Sequence, residues 1–123
     1  MFHVATMLPY QRADVQQLER KRHLGNDVVL IVYKEGQGKF DPTCIHSEFN
    51  HVFIVVQKLD NDSGHYRVEV SYKGDIPFPS VPLLPENATF ALNNNFRMWL
   101  LAKSMYNSFT CVLGKEVKKL TIL

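Results

Sequence analysis

Cysteine is scarce in this sequence and long apolar runs are absent, and each shortage excludes a class of protein. The 123 residues contain two cysteines, Cys44 and Cys111, which are too few for the disulfide framework of a small secreted domain. No stretch approaches the ~20 apolar residues that cross a bilayer, and the amino terminus lacks the basic and apolar regions of a secretory signal. We therefore expect a cytoplasmic chain without a transmembrane segment.

The net charge is also small. Fourteen basic and twelve acidic residues leave a formal charge of +2, so no nucleic-acid partner is expected. Apolar residues make up 46% and charged residues 21% of the chain, as in an ordinary globular domain. A chain of this length forms one domain at most and buries about two thirds of its unfolded surface.

Strand-forming and helix-forming segments alternate in the first half of the chain. FHVATML at 2–8 predicts a strand, residues 11–24 predict a helix, and VVLIVY at 28–33 predicts a strand that is buried on both faces. Gly25 fits the left-handed residue that ends many helices. A strand, a helix and a strand within ~30 residues predict a parallel crossover.

The second half predicts a hairpin followed by a helix. VFIVVQKL at 52–59 is apolar enough for a buried strand, and HYRVEVSY at 65–72 alternates apolar and polar residues as a half-exposed antiparallel strand does. Residues 42–49 favour a short connecting helix, and the proline-rich residues 74–90 favour an irregular loop. FRMWLLAKSMY, within 94–106, predicts a helix packed on the sheet. The predicted fold class is therefore α/β (mixed α+β) with a mixed sheet.

Residues 20–27, RKRHLGND, combine a basic cluster with an exposed carboxamide. A carboxamide donates and accepts hydrogen bonds at once, so it can hold a water molecule while contacting a phosphate oxygen. The three basic residues at 20–22 favour docking on an anionic surface. The same residues also fit an ordinary helix end, because basic side chains complement the helix dipole and Asn-Asp is common in turns. Composition alone leaves both interpretations open.

The order of these residues, with MFHVATMLPY before them and VVLIVY after them, resembles the catalytic core of the Rap-type GTPase-activating proteins (the Rap/Ran-GAP domain). MFHVATMLPY and QQLERKRH look nearer to the Rap branch than to tuberin or the Ral activators. The resemblance implies that the chain stimulates GTP hydrolysis by a Rap-like small GTPase, inserting an asparagine thumb into its nucleotide site. The positions that match are Asn26 as the catalytic thumb, Arg20, Lys21, Arg22 and His23 as the GTPase-binding surface, and Gly25 and Asp27 as supporting residues.

The resemblance also implies how the work is divided between the two proteins. The GTPase performs the hydrolysis, so this chain is expected to have no catalytic activity of its own. GTP and Mg²⁺ belong to the GTPase, and no cofactor or metal of this chain is implied. Rap is the expected partner, while Ral and Rheb stay open because their activators share the thumb motif.

Residues 1–107 are interpreted as the core of a Rap-GAP domain that begins inside the family domain, and residues 108–123 as a divergent tail. The tail forms either two short strands about Gly114 or a loose end. Apolar strands need neighbours on both edges, so we expect a marginal fold. The alternative function is a truncated, non-catalytic form that only binds a GTPase or another partner.

Two weaker patterns carry no function of their own. Cys44, His46 and His51 lie close in sequence, but a structural zinc site requires a fourth ligand and paired spacing. His23 and Asp27 stand at helical spacing, yet no serine or cysteine nucleophile is placed to complete a hydrolase site.

Overall fold

The computed structural model describes residues 2–60, 63–74, 81–112 and 120–122. Within these residues the chain forms one mixed sheet and two helices. The strands are β1 (Phe2–Val4), β2 (Val29–Lys34), β3 (Val52–Lys58), β4 (His65–Tyr72), β5 (Thr89–Ala91) and β6 (Leu120–Ile122). The helices are α1 (Leu18–Gly25) and α2 (Asn94–Val112), and single 3₁₀ turns occupy Ala5–Met7 and Pro42–Cys44.

The strand order is β1-β6-β2-β3-β4-β5. Strands β2 and β3 are parallel, with Val29 opposite Val52, and β6 is parallel to both β1 and β2 and lies between them. Strands β3 and β4 form the predicted antiparallel hairpin, and β5 pairs antiparallel with β4. The prediction of a mixed sheet with a hairpin is confirmed, and β1 and β2 are parallel although β6 separates them.

The central strands β2 and β3 are buried on both faces. Alternate residues point to opposite sides, so each strand contributes to two apolar clusters. On one face the buried residues are Val29, Ile31, Val52, Ile54, Val56 and Val68, packed with Phe96 of α2. On the other face they are Leu30, Val32, Phe53 and Val55, covered by Phe40 and Ile45. This two-sided burial explains why both strands read as continuous apolar runs.

Helix α2 packs on the sheet through aromatic contacts. The ring of Phe90 lies 4.8 Å from the rings of both Phe96 and Trp99, and the Trp99 indole N–H donates to the Leu83 carbonyl at 3.0 Å. The prediction of a packed helix is confirmed, but the helix continues to Val112 rather than ending near residue 106.

Two predicted elements in the first quarter of the chain are shorter than expected. The strand predicted at 2–8 ends at Val4, where the chain enters a 3₁₀ turn, and the helix predicted over 11–24 begins only at Leu18. Asp14 accepts a hydrogen bond from the Leu18 amide at 2.8 Å, and the Gln17 side chain donates to the Asp14 carbonyl at 2.6 Å. These side chains satisfy backbone groups locally and so compete with an earlier helix.

Three further predictions need correction. The helix predicted at 42–49 is a single 3₁₀ turn, although Asp41 does cap it by accepting from the Thr43 amide at 2.9 Å. The loop predicted over 74–90 ends in β5, and its residues 75–80 lie outside the described part. Residues 109–112 belong to α2 and not to a tail strand, whereas 120–122 do form one, β6. The domain boundary at residue 107 stays a prediction.

Candidate functional site

The carboxyl end of α1 presents Asn26 to solvent. Asn26 follows the last helical residue with φ −95° and ψ −4°, and its side chain is exposed. Among the described residues none is hydrogen-bonded to the Asn26 side chain. The carboxamide is therefore available to bind a group outside this chain.

Gly25 does not adopt the left-handed conformation that the sequence predicts. It is the last residue of α1, and its φ lies outside the positive range in which three other glycines are found. A Cβ atom at this position would have open space around it, with no heavy atom within 4 Å. The absence of a side chain at Gly25 therefore keeps the surface beside Asn26 unobstructed.

An open groove of about 340 Å³ separates the end of α1 from the loop that precedes β3. Its walls are Lys21, Arg22, Gly25 and Asn26 on one side and His46, Ser47, Glu48 and Phe49 on the other. The Phe49 side chain is 42% exposed, so an apolar surface faces the two cations across the groove. This arrangement suits a protein surface that combines anionic and apolar groups.

The loop that forms the second wall is hydrogen-bonded to the backbone around Asn26. The Ser47 hydroxyl donates to the Gly25 carbonyl, and the buried Asn50 amide donates to the carbonyls of Leu24, at 3.1 Å, and Asp27. Sequence reasoning missed both Ser47 and Asn50. The carbonyl groups at the end of a helix need hydrogen-bond donors, and this need was the signal for Ser47 and Asn50. It does not indicate where in the sequence those donors lie.

The predicted basic cluster divides into two parts. Arg20 is half-buried: its guanidinium donates to the Ala5 carbonyl at 2.8 Å and lies 5.6 Å from the centre of the Tyr10 ring. Lys21 and Arg22 are exposed and line the groove beside Asn26. The structure thus brings Lys21 and Arg22 together with Asn26 and places Arg20 against its own chain.

Asp27, the residue after Asn26, is fully buried, and its carboxylate pairs with His3 Nδ1 of β1 at 2.8 Å. The ring of His3 is in turn 5.3 Å from the ring of His23, at an angle of 55°. His23 is half-buried and lies outside the groove that Asn26 lines. The Asp27 side chain therefore links the end of α1 to the edge region of the sheet.

The metal-ligand pattern considered from sequence does not come together among the described residues. No three His, Cys, Asp or Glu side chains within them lie close enough to hold a metal ion, so Cys44, His46 and His51 do not form a cluster. None of the helices in the same part of the chain has the length and apolar character needed to span a membrane.

Comparison with known proteins gives one family. A sequence model of the family described as Rap/ran-GAP matches residues 1–120. Signal-induced proliferation-associated protein 1 of Mus musculus is 51% identical over 109 residues, which cover 85% of this chain and 10% of that protein. RapA guanosine triphosphatase-activating protein 1 of Dictyostelium discoideum is 66% identical over 61 residues, which cover 49% of this chain and 6% of that protein. The chain spans about a tenth or less of the length of these relatives.

A solved structure has the same arrangement of strands and helices. The structure of the TSC2 GAP domain matches with a TM-score of 0.66 and 25% sequence identity, over 89% of this chain and 58% of that one. The mixed sheet, the hairpin and the packed helix therefore have a counterpart in a larger domain.

Proposed function

This chain belongs to the Rap/ran-GAP family, and from that premise we propose that it is the core of a GTPase activator that accelerates GTP hydrolysis by a Rap-class small GTPase. The name of one relative supports this proposal, since that protein of Dictyostelium discoideum is called RapA guanosine triphosphatase-activating protein 1. The exposed Asn26 carboxamide, which lines a groove together with two cations, is the observation that supports Asn26 as the residue that acts on the GTPase.

In the proposed mechanism Asn26 enters the nucleotide site of the GTPase. Its carboxamide accepts a hydrogen bond from the attacking water and donates one to a phosphate oxygen, so the water is held in line with the γ-phosphoryl group. Positioning and electrostatic stabilisation make up nearly all of phosphoryl-transfer catalysis, and loss of a positioning or charge-stabilising group generally costs ~10² to 10⁵ in rate. GTP and Mg²⁺ are bound by the GTPase, which performs the hydrolysis.

Docking depends on the surface around the thumb. Lys21 and Arg22 attract the anionic surroundings of the bound nucleotide, and Phe49 offers an apolar contact on the opposite wall. We propose that His23 also contacts the GTPase, as the family resemblance implies. Arg20 contributes indirectly, because its contacts with Ala5 and Tyr10 hold the helix that carries the docking residues.

Single-turnover GTP hydrolysis by purified Rap, with increasing amounts of this chain, tests the proposal. The titration gives the maximum rate and the half-saturating concentration separately. We expect Asn26→Ala to lower the maximum rate by ~10² or more with an unchanged half-saturating concentration. His23→Ala should raise the half-saturating concentration, whereas Asn95→Ala, which alters an exposed asparagine on α2, should change neither quantity.

The other outcomes of this titration lead to different conclusions. Equal acceleration by Asn26→Ala and the unaltered chain would contradict the thumb assignment. Binding of Rap without acceleration would favour the non-catalytic alternative. Parallel titrations with Ral and Rheb identify the partner, and a chain that binds none of the three GTPases would overturn the proposal.

A further inference from the structure

We propose that Asn50 and Ser47 are positioning residues for the thumb: they hold the backbone on both sides of Asn26 and so fix the direction of its carboxamide. This inference rests on the proposed function, because it assigns these residues to the site that acts on the GTPase. It adds two polar residues from a distant loop, which act through the backbone on either side of Asn26.

Hydrogen bonds restrain the backbone on both sides of Asn26. The Ser47 hydroxyl donates to the carbonyl of the preceding residue, Gly25, and the Asn50 amide donates to the carbonyl of the following residue, Asp27. The same amide group donates to the Leu24 carbonyl at 3.1 Å. The Asn50 side chain is fully buried and so is its bond to the Asp27 carbonyl, so water does not compete for that bond.

The loop that supplies these donors is itself fixed to the sheet. The His51 amide donates to the Val28 carbonyl at 2.9 Å, and the Lys73 ammonium group donates to the Ser47 carbonyl at 2.8 Å. These two bonds attach the loop to the residue that precedes β2 and to the residue that follows β4. A residue just beyond a helix end would otherwise fray, because the last carbonyl groups have no helical partner.

The conformation of Asn26 explains why such support matters. Asn26 directly follows the last residue of α1, and its φ of −95° and ψ of −4° keep the right-handed conformation of the helix end. Rotation about these angles would swing the carboxamide away from its target. A displacement of about 1 Å at a catalytic group can cost ~10² in rate.

The test uses the full chain with four single substitutions. Asn50→Leu replaces the amide with an apolar side chain of similar size, and Ser47→Ala removes only the hydroxyl. The matched control is Ser104→Ala, because the buried Ser104 hydroxyl also donates to a carbonyl, that of Leu100 at 2.8 Å, but on α2. In the Rap titration we expect the first two to lower the maximum rate by ~10 to 10² with an unchanged half-saturating concentration. Ser47→Thr, which keeps a hydroxyl, should restore the rate.

A double-substitution cycle separates positioning from general damage. If Asn50 acts through Asn26, then Asn50→Leu should cause no further loss of rate in a chain that already carries Asn26→Ala. Multiplied losses, or a full maximum rate in the folded Asn50→Leu chain, would overturn the inference. Ser47→Ala in the same cycle decides the question if Asn50→Leu does not fold.

A measurement on the chain alone separates failure of this inference from failure of the proposed function. Amide ¹⁵N relaxation gives the order parameters of residues 25–27, which we expect near ~0.85 in the unaltered chain and below ~0.6 in Ser47→Ala and Asn50→Leu. Ser104→Ala should leave them unchanged. Unchanged order in all variants would overturn the positioning role even if the chain activates Rap. Loss of order in a chain that activates no GTPase would support the backbone restraint and overturn only the proposed function.

Discussion

Arg20 and Lys21 are adjacent cations on α1, yet we expect their removal to have different consequences. The Arg20 guanidinium is used within the chain, where it bonds to the Ala5 carbonyl and lies over the Tyr10 ring. The Lys21 side chain is exposed on the groove wall, and it forms no ion pair with any described residue. Arg20→Ala should therefore lower the free energy of unfolding, whereas Lys21→Ala should weaken docking.

The contacts of Arg20 set the size of the effect. A hydrogen bond from a charged donor contributes ~1.5 to 3 kcal/mol, and a cation over an aromatic ring at an exposed site adds ~0.5 to 1 kcal/mol. The bond is only partly buried, and alanine has the higher helix propensity, so we expect a net loss of about 2 kcal/mol. For Lys21→Ala, a surface change without a partner, the expected change is within ~0.5 kcal/mol.

Two assays separate stability from docking. Urea unfolding gives the free energy of unfolding, with an unchanged slope indicating that the denatured state is not altered. Stopped-flow association with Rap at low and high salt reports the steering effect of exposed charge, which salt screens. Lys21→Ala should slow association at low salt and lose this effect at high salt. Lys58→Ala is the matched control, since it removes an exposed lysine from β3, outside the groove.

The reasoning is refuted if Arg20→Ala is as stable as the unaltered chain. It is equally refuted if Lys21→Ala costs more stability than Arg20→Ala does. Either result would mean that the division of the basic cluster into a structural residue and docking residues is wrong.

Two predictions concern the packing of the chain. Phe53 is fully buried and its ring lies 6.0 Å from that of Phe40, so Phe53→Ala should lower the free energy of unfolding by ~3 to 5 kcal/mol. Phe109→Ala, at a 67% exposed position, should change this free energy little. If urea unfolding shows a smaller loss for Phe53→Ala than for Phe109→Ala, the assigned core is wrong. Burial raises the pKa of the Cys111 thiol. At neutral pH iodoacetamide should therefore alkylate Cys111 more slowly than the exposed Cys44, and equal rates by mass spectrometry would refute this.

Local sequence patterns were sufficient to predict the strands in which the order of apolar and polar residues reflects burial. The apolar runs that became β2 and β3 predict two-sided burial, and the alternation over 65–72 predicts the half-exposed strand of the hairpin. They failed between residues 11 and 17, where helix formers occur but Asp14 and Gln17 bind the backbone in turns. Propensity describes each residue separately, whereas a turn depends on which side chain reaches which backbone group.

The sequence by itself determined the strands of the sheet centre, the packed helix and the motif that contains Asn26, because these depend on residue type and short-range order. Only the tertiary structure decided that β6 lies between β1 and β2, that Arg20 is turned toward Ala5, and that the Asn50 amide bonds to the Leu24 carbonyl. The Asn50 bond to Leu24 joins residues 26 positions apart. Such a contact depends on how the fold brings distant segments together, and no local pattern encodes that.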